Sequence, residues 1–274
     1  FGINGSLTFF TADLGPTGKL IYAYVTYSFM MMIYTAINIP YSALMGVMTP
    51  NSLERTSLSS YRFVGAFAGG LIVQSTLVAL VGFFGAGNQQ KGYHLTMTLF
   101  AVVAVVLFLT TFATTRERVH PMKEQKTSLK KDLKDLITNR PWIVLFFLGI
   151  FTLTFACFRM GSTMYYFKYY VGDEGLSTLF ITLGTVASLV GTILAKPLSK
   201  VFGKRMLYML LMGGNTILVM VFYFIRPDQT FLMFSVHIVS SFLSGPTSAL
   251  VWAMYADTAD YSEWKTGRRA TGLV

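Results

Sequence analysis

The stretch Leu95–Ala113, LTMTLFAVVAVVLFLTTFA, holds no charged side chain and is close to the roughly twenty residues a helix needs to cross a bilayer. Just beyond it the chain turns basic, with Arg116, Arg118, Lys123, Lys126, Lys130, Lys131 and Lys134 lying before Arg140 among few apolar residues. An apolar block followed by a basic connection reads as a membrane helix entering a cytoplasmic loop. The whole chain repeats the theme. Of its 274 residues, 53% are hydrophobic and only 12% charged, outside the usual range of a soluble globular domain. Strict apolar/polar alternation is absent, so the spans read as helices rather than barrel strands. A net charge of +10 would suggest nucleic acid in a soluble protein. Here the basic residues gather between apolar blocks, where they set topology. The expected partner is the lipid bilayer, not nucleic acid.

Hydropathy gives a partial span over residues 1–11 and full spans near 19–48, 61–85, 93–115, 142–170, 177–198, 206–225 and 231–256. Turn residues such as Gly15-Pro16, Gly172-Asp173 and Arg226-Pro227-Asp228 separate them. Counted outward from the basic loop, the connections holding Glu54-Arg55, Lys196 to Arg205 and Lys265 to Arg269 share its side. The opposite loops carry chiefly Lys91 and Arg226. Within the basic loop, Leu129, Leu133, Leu136 and Ile137 recur at helical spacing, which fits either a surface helix or a plain solvated linker. Phe1 is not an initiator Met and Val274 falls as another apolar stretch begins, so the sequence reads as a piece lacking both ends. The single Cys157 permits no disulfide within the chain and no metal site built on paired cysteines.

Ionisable groups inside spans are expensive and therefore candidates for function. Arg159 sits near the middle of its span, while every acidic residue maps to a loop or a helix end. Its countercharge is expected from helices outside the chain or from an anionic substrate. Thr35, Asn38 and Ser42 fall at i, i+3 and i+7 on one helix face, and Pro40 leaves the carbonyl of Ala36 without its helical donor. That face reads equally as a ligand surface or as a packed, kinked helix. Arg62 reads as an interfacial anchor or a ligand contact. Gly65 and Gly69, and later Gly184, Ser188 and Gly191, form small-residue seams for close helix approach. Gln74, Asn215 and His237 read as interhelical hydrogen-bonding groups, with a protonation role for His237 as the alternative. Asp257, Asp260 and Trp264 share a face near Arg268 and Arg269, either as an ion-paired gate or as a solvated helix end.

Three segments in order, Tyr34-Thr-Ala-Ile-Asn-Ile-Pro-Tyr41, Glu54-Arg-Thr-Ser-Leu-Ser-Ser-Tyr-Arg-Phe63 and Ala256-Asp-Thr-Ala-Asp-Tyr-Ser-Glu-Trp264, resemble the glycoside-pentoside-hexuronide:cation symporters. The resemblance covers nearly the whole chain. It implies an all-α membrane protein, a fragment from about helix 3 to the start of helix 11 of a twelve-helix major-facilitator-type fold with two six-helix bundles. Residues 1–115 would close the first bundle, 116–140 form the cytoplasmic middle loop, and 141–274 open the second. It also implies a cation site that includes Thr35, sugar contact at Arg62, and a cytoplasmic charge network of Asp257, Asp260 and Arg269. Asn38 stands where the family pattern has an acidic residue, and Ser42 and Ser248 stand where it has tryptophans. Trp252 lies one turn after Ser248.

The function this implies is sugar:cation symport by alternating access, with Asn38, Arg62, Arg159 and Trp252 binding substrate. A hexuronide would answer the missing countercharge of Arg159. The coupling ion is expected to be Na+ or H+, with Li+ possible, and there is no cofactor and no metal site. The protein is expected to work as a monomer in the plasma membrane, the inner membrane of a bacterium. The alternative is a non-transporting membrane sugar sensor with the same fold. No nucleophile-base pair or phosphate-binding loop suggests an enzyme.

Overall fold

The structure is a computed structural model that describes residues 1–10, 14–119 and 136–266. Among these residues every regular element is helical, and seven helices are long and apolar enough to cross a membrane. The short α1 (Gly2–Thr8) is followed by α2 (Pro16–Met48), α3 (Ser52–Gly85) and α4 (Gln89–Thr114). Next, α5 (Arg140–Tyr165) continues into a π-helical stretch over Tyr166–Val171. Then come α6 (Gly175–Ile193), the short α7 (Ala195–Phe202), α8 (Lys204–Tyr223) and α9 (Thr230–Thr266). The hydropathy spans and these seven helices correspond one to one.

Three boundaries differ from the hydropathy reading, each for a local reason. The first is the start of α3, nine residues before the expected Tyr61, so that Glu54 and Arg55 are helical rather than in a loop. Asn51 caps it: its side-chain oxygen accepts from the backbone N–H of Leu53 at 2.9 Å and of Glu54 at 3.3 Å. Glu54 adds favourable negative charge in the first turn. The second is the span expected to run to Leu198, which breaks after Ile193. Pro197 has no N–H to offer the carbonyl of Ile193, four residues back, so the helix restarts at Ala195. The third is α9, which carries on past Ala256 through the polar run Asp257 to Lys265.

The chain packs as two compact units, Phe1–Leu44 with Ile72–Arg118, and Met45–Leu71 with Val119–Val274 so far as described. In the first, α1 lies against α4, where Ser6 and Thr98 hydroxyls meet at 2.6 Å and Phe1 meets Phe108 edge-on. Polar bonds tie α1 to α2 as well: Asn4 Nδ2 donates to the Thr26 carbonyl and Tyr22 Oη to that of Leu7. Between helices in lipid the hydrophobic effect offers little, so such bonds and close packing carry the association.

In the second unit α9 packs against both α6 and α8. A Cβ on Gly191 would collide with the carbonyl of Phe242, and one on Gly245 with that of Ser188. Ser188 Oγ also donates to the Ser241 carbonyl at 3.0 Å. The Gly184, Ser188 and Gly191 seam therefore lies on α9. At Gly65 and Gly69, in contrast, an added Cβ would have nothing within 4 Å among the described residues, so that seam meets no helix there. Two apolar clusters fill the unit, one around Phe167, Phe180 and Met233, the other around Leu207, Leu211 and Leu250.

Candidate functional site

At one end of the second unit, α3, α8 and α9 assemble four charges that sum to zero. Arg55 is 1% exposed, and its Nη1 lies 3.2 Å from Asp257 Oδ1 and also bonds Asp260 Oδ2. Its Nε donates to the Thr49 carbonyl at 2.9 Å. Lys204 Nζ sits 2.6 Å from the other oxygen of Asp257 and 2.7 Å from Ser52 Oγ. A buried guanidinium is tolerable only when paired and hydrogen-bonded, and here it is both. The sequence offers Arg268 and Arg269 as partners for these aspartates; both lie outside the described residues. Among the described residues the cations of this cluster are Arg55 and Lys204, which sequence reasoning does not single out. The signal is present in the charge count, which puts Glu54-Arg55 and Lys196 to Arg205 on the side of Asp257. Trp264 does not join Asp257 and Asp260 at the cluster; it is largely exposed and packs beside Tyr261.

Two turns further along α3, on the same face as Arg55, Arg62 places its guanidinium carbon 4.6 Å from the centre of the Trp252 ring. At that distance the ring's negative face attracts the cation. Trp252 in turn meets Tyr255 edge-on at 6.2 Å. Two of the residues expected at a sugar site are thus brought together, on facing helices α3 and α9.

Arg159 stands elsewhere in the same unit, on α5, at the wall of a cavity of about 330 Å³ between α5, α6, α8 and α9. Its Nη2 is 2.8 Å from His237 Nδ1, and its Nη1 donates to Ser240 Oγ at 3.4 Å. Ser240 donates its own hydrogen to Asn215 Oδ1 at 2.6 Å, and His237 Nε2 lies 3.0 Å from the Phe180 carbonyl. Asn215 and His237 are therefore interhelical hydrogen-bonding groups, one of the readings their sequence positions allow. Gly184 makes the room: a Cβ there would strike the His237 ring.

In the first unit, Thr35 and Asn38 both turn to their own helix. Thr35 Oγ1 donates to the Met31 carbonyl at 2.9 Å and Asn38 Nδ2 to that of Tyr34 at 3.1 Å. Each side chain thereby commits a hydrogen to its own backbone while its acceptor lone pairs remain for other groups. α2 passes through Pro40 unbroken.

The family described as MFS/sugar transport protein matches the chain over residues 2–274. The chain belongs to that family. Its relatives include the inner membrane symporter YicJ of Escherichia coli (strain K12), 35% identical over 273 residues that make up 100% of this chain and 59% of that protein. The putative glycoside/cation symporter YagG of the same strain is 33% identical, with 100% and 60% covered. The isoprimeverose transporter of Lactiplantibacillus pentosus is 31% identical, with 100% and 58% covered. The chain thus spans about 60% of the length of the curated relatives it matches.

As a member of the MFS/sugar transport family, the chain is a multi-pass membrane protein, and the seven long apolar helices fit that membership. Four places gather the candidate residues: the Arg55 cluster, the Arg62–Trp252 pair, the Arg159 cavity and the Thr35–Asn38 face.

Proposed function

We propose that this chain is the sugar-handling middle of a sugar:cation symporter of the plasma membrane that works by alternating access. The observation that carries the reading is the Arg55 cluster, which fastens the start of α3 to the far end of α9, 202 residues away in sequence. Two largely buried cations paired to two carboxylates that are each about a third exposed hold one arrangement, yet separate into water with modest net cost, because the pairing gain and the desolvation penalty largely offset. Such a cluster suits a cytoplasmic gate that closes and opens once per cycle, with Asp257, Asp260 and Arg269 in its network.

Residues 1–115 belong to the first helix bundle, 116–140 to the cytoplasmic middle loop and 141–274 to the second bundle. Arg62 and Trp252 grip the sugar, the guanidinium bonding hydroxyls and the indole stacking on the apolar face of the ring. Asn38 is a further substrate-binding residue, acting through its amide. Thr35 belongs to the site of the coupling cation, Na+ or H+. Sugar and cation together stabilise an occluded state that neither favours alone.

The test is accumulation of a radiolabelled glycoside in proteoliposomes holding the full-length protein, under an imposed Na+ or proton gradient. Uphill accumulation that collapses with the gradient is expected. Binding without accumulation would reject transport in favour of a sensor.

A further inference from the structure

We propose that Tyr255 is a positioning residue for sugar binding: hung from the Leu145 carbonyl in a notch left by Gly149, it holds the indole of Trp252 in the pose that faces Arg62. The proposal deepens the symporter reading and rests on its assignment of Trp252 to the sugar.

A tryptophan stacks on a sugar only with its face presented, and ordering a free side chain at the moment of binding lowers affinity. The indole is best held beforehand. Arg62 attracts its face from α3 at 4.6 Å, but a cation over a ring leaves that ring free to turn in its own plane. Tyr255, three residues on along α9, meets the indole edge-on with centroids 6.2 Å apart and planes at 66°. Two rings on one helix can swing together, so a fixed pose needs a tie to a second helix.

That tie is present. Tyr255 Oη donates to the Leu145 carbonyl of α5 at 2.7 Å. In a helix this carbonyl already accepts from the N–H of residue 149, and a Cβ at that position leans back toward the helix N-terminus, over the carbonyl's open side. Gly149 has none. A Cβ built there would lie 2.5 Å from Tyr255 Oη but 3.8 Å from the ring carbon that bears it, so the missing methyl makes room for the hydroxyl alone. Glycine in a helix interior is unfavourable against alanine, and the bond to Tyr255 is what this one allows.

A second bond keeps the two helices in register. Asn139, 3% exposed, caps α5 by accepting from the Trp142 N–H, and its Nδ2 donates to the Thr258 carbonyl of α9 at 3.0 Å. Thr258 Oγ1 in turn donates to the Tyr255 carbonyl at 2.7 Å. The turn of α9 that carries Tyr255 is thus held to α5 by two polar bonds, about 9 Å apart along α5 at 1.5 Å per residue. The indole takes its pose from α5, although its own helix is α9 and Arg62 stands on α3.

The experiment reads the ring and the ligand separately, on detergent-solubilised full-length protein. Near-ultraviolet circular dichroism gives the Trp252 band as the difference that Trp252→Phe makes in each background, taken at the long-wavelength edge where tyrosine does not absorb. Tyr255→Phe keeps the edge-on contact and removes only the hydroxyl, and it should lose most of that band. Calorimetry measures binding of phenyl β-D-glucoside, which Tyr255→Phe should weaken ~3-fold, within the ~10-fold that stacking can supply. Gly149→Ala puts a methyl where the hydroxyl stood and should have the same effect. Because methyl and hydroxyl compete for one notch, the double variant should bind within ~1.5-fold of either single one, not the ~9-fold weaker than the unaltered protein that independent effects would give. In a Trp252→Leu background, Tyr255→Phe should change binding by less than ~1.5-fold, whereas a merely structural role would persist. A Trp252 band kept in full by Tyr255→Phe, an additive double variant, an undiminished effect without the indole, or no glucoside binding by the unaltered protein would each overturn the positioning role. Gradient-driven uptake of the glucoside, measured alongside, judges the transport reading by itself: its absence sinks that reading, while dichroism and binding still decide whether Tyr255 holds the ring for the sugar.

Discussion

Arg55, almost wholly buried, bonds the carboxylates of Asp257 and of Asp260, one turn apart on α9. Removing the guanidinium leaves the carboxylates of Asp257 and Asp260 without the cation they share, while Lys204 stays on Asp257. Arg55→Ala should therefore destabilise the full-length protein by about 2 kcal/mol, between the surface-pair and buried-pair costs, because the carboxylates left behind are about a third exposed. Adding Asp260→Asn to Arg55→Ala should restore part of the loss, because one of the two neighbouring like charges is gone. The check is a double-variant cycle on thermal unfolding in detergent; strictly additive effects would mean the two residues are not coupled.

Lys204 makes a weaker case within the same cluster. It touches Asp257 and Ser52, but Asp257 keeps Arg55 if the lysine is lost, and the Asp257 side chain is 32% exposed, so water can reach it. Lys204→Met should cost about 1 kcal/mol, nearer the surface-pair range than the buried one. Equal severity in the two variants, read from the same unfolding curves, would contradict the ranking.

The two kinds of residue also show what a sequence can and cannot reveal. Long apolar blocks announce α2 to α6, α8 and α9 directly, because a helix in lipid must be apolar for its full length. The same signal is blind to Ser52–Ser60, whose polar side chains look like a loop although α3 already runs through them and buries Arg55, Thr56 and Ser59. Hydropathy scores a buried ion cluster as if it were exposed. Gly184, Ser188 and Gly191 are legible as a seam from their spacing, and so are Asn215 and His237 as bonding groups. That His237 holds Arg159 depends on the placement of α5 against α9, which no local pattern encodes.

The glycines give a sharp contrast of the same kind. Gly191→Ala would press a methyl onto the Phe242 carbonyl, a backbone atom that cannot swing aside. A loss of about 1–3 kcal/mol is expected from overpacking, seen as a lower unfolding midpoint of the full-length protein. Gly69→Ala meets nothing within 4 Å among the described residues and should be neutral or gain up to about 1 kcal/mol from reduced backbone entropy. A reversed order would mean α6 and α9 are not so close in the working protein.

Arg62 and Trp252 should separate by chemistry. Trp252→Phe keeps an aromatic face under the guanidinium and for a sugar, whereas Trp252→Leu removes both. With stacking worth about 0.5–1.5 kcal/mol, Trp252→Leu should raise the KM for glycoside uptake by up to ~10-fold and Trp252→Phe by much less. Indistinguishable variants would show that the ring acts only as bulk.

Thr35 makes the last distinction. Its hydroxyl proton is committed to the Met31 carbonyl, so the oxygen can present only lone pairs to its surroundings, which is what a bare cation requires. Thr35→Ser preserves that arrangement; Thr35→Val keeps the shape and removes the oxygen. Thr35→Val should therefore raise the Na+ concentration for half-maximal uptake by about 10-fold, the loss of one oxygen ligand at roughly 1.4 kcal/mol, while cation-free sugar binding holds steady. Thr35→Ser should remain near the unaltered protein. Because the two variants differ in one oxygen atom, equal behaviour toward Na+ would remove Thr35 from the cation site, and a matching fall in cation-free sugar binding would move it to the sugar instead.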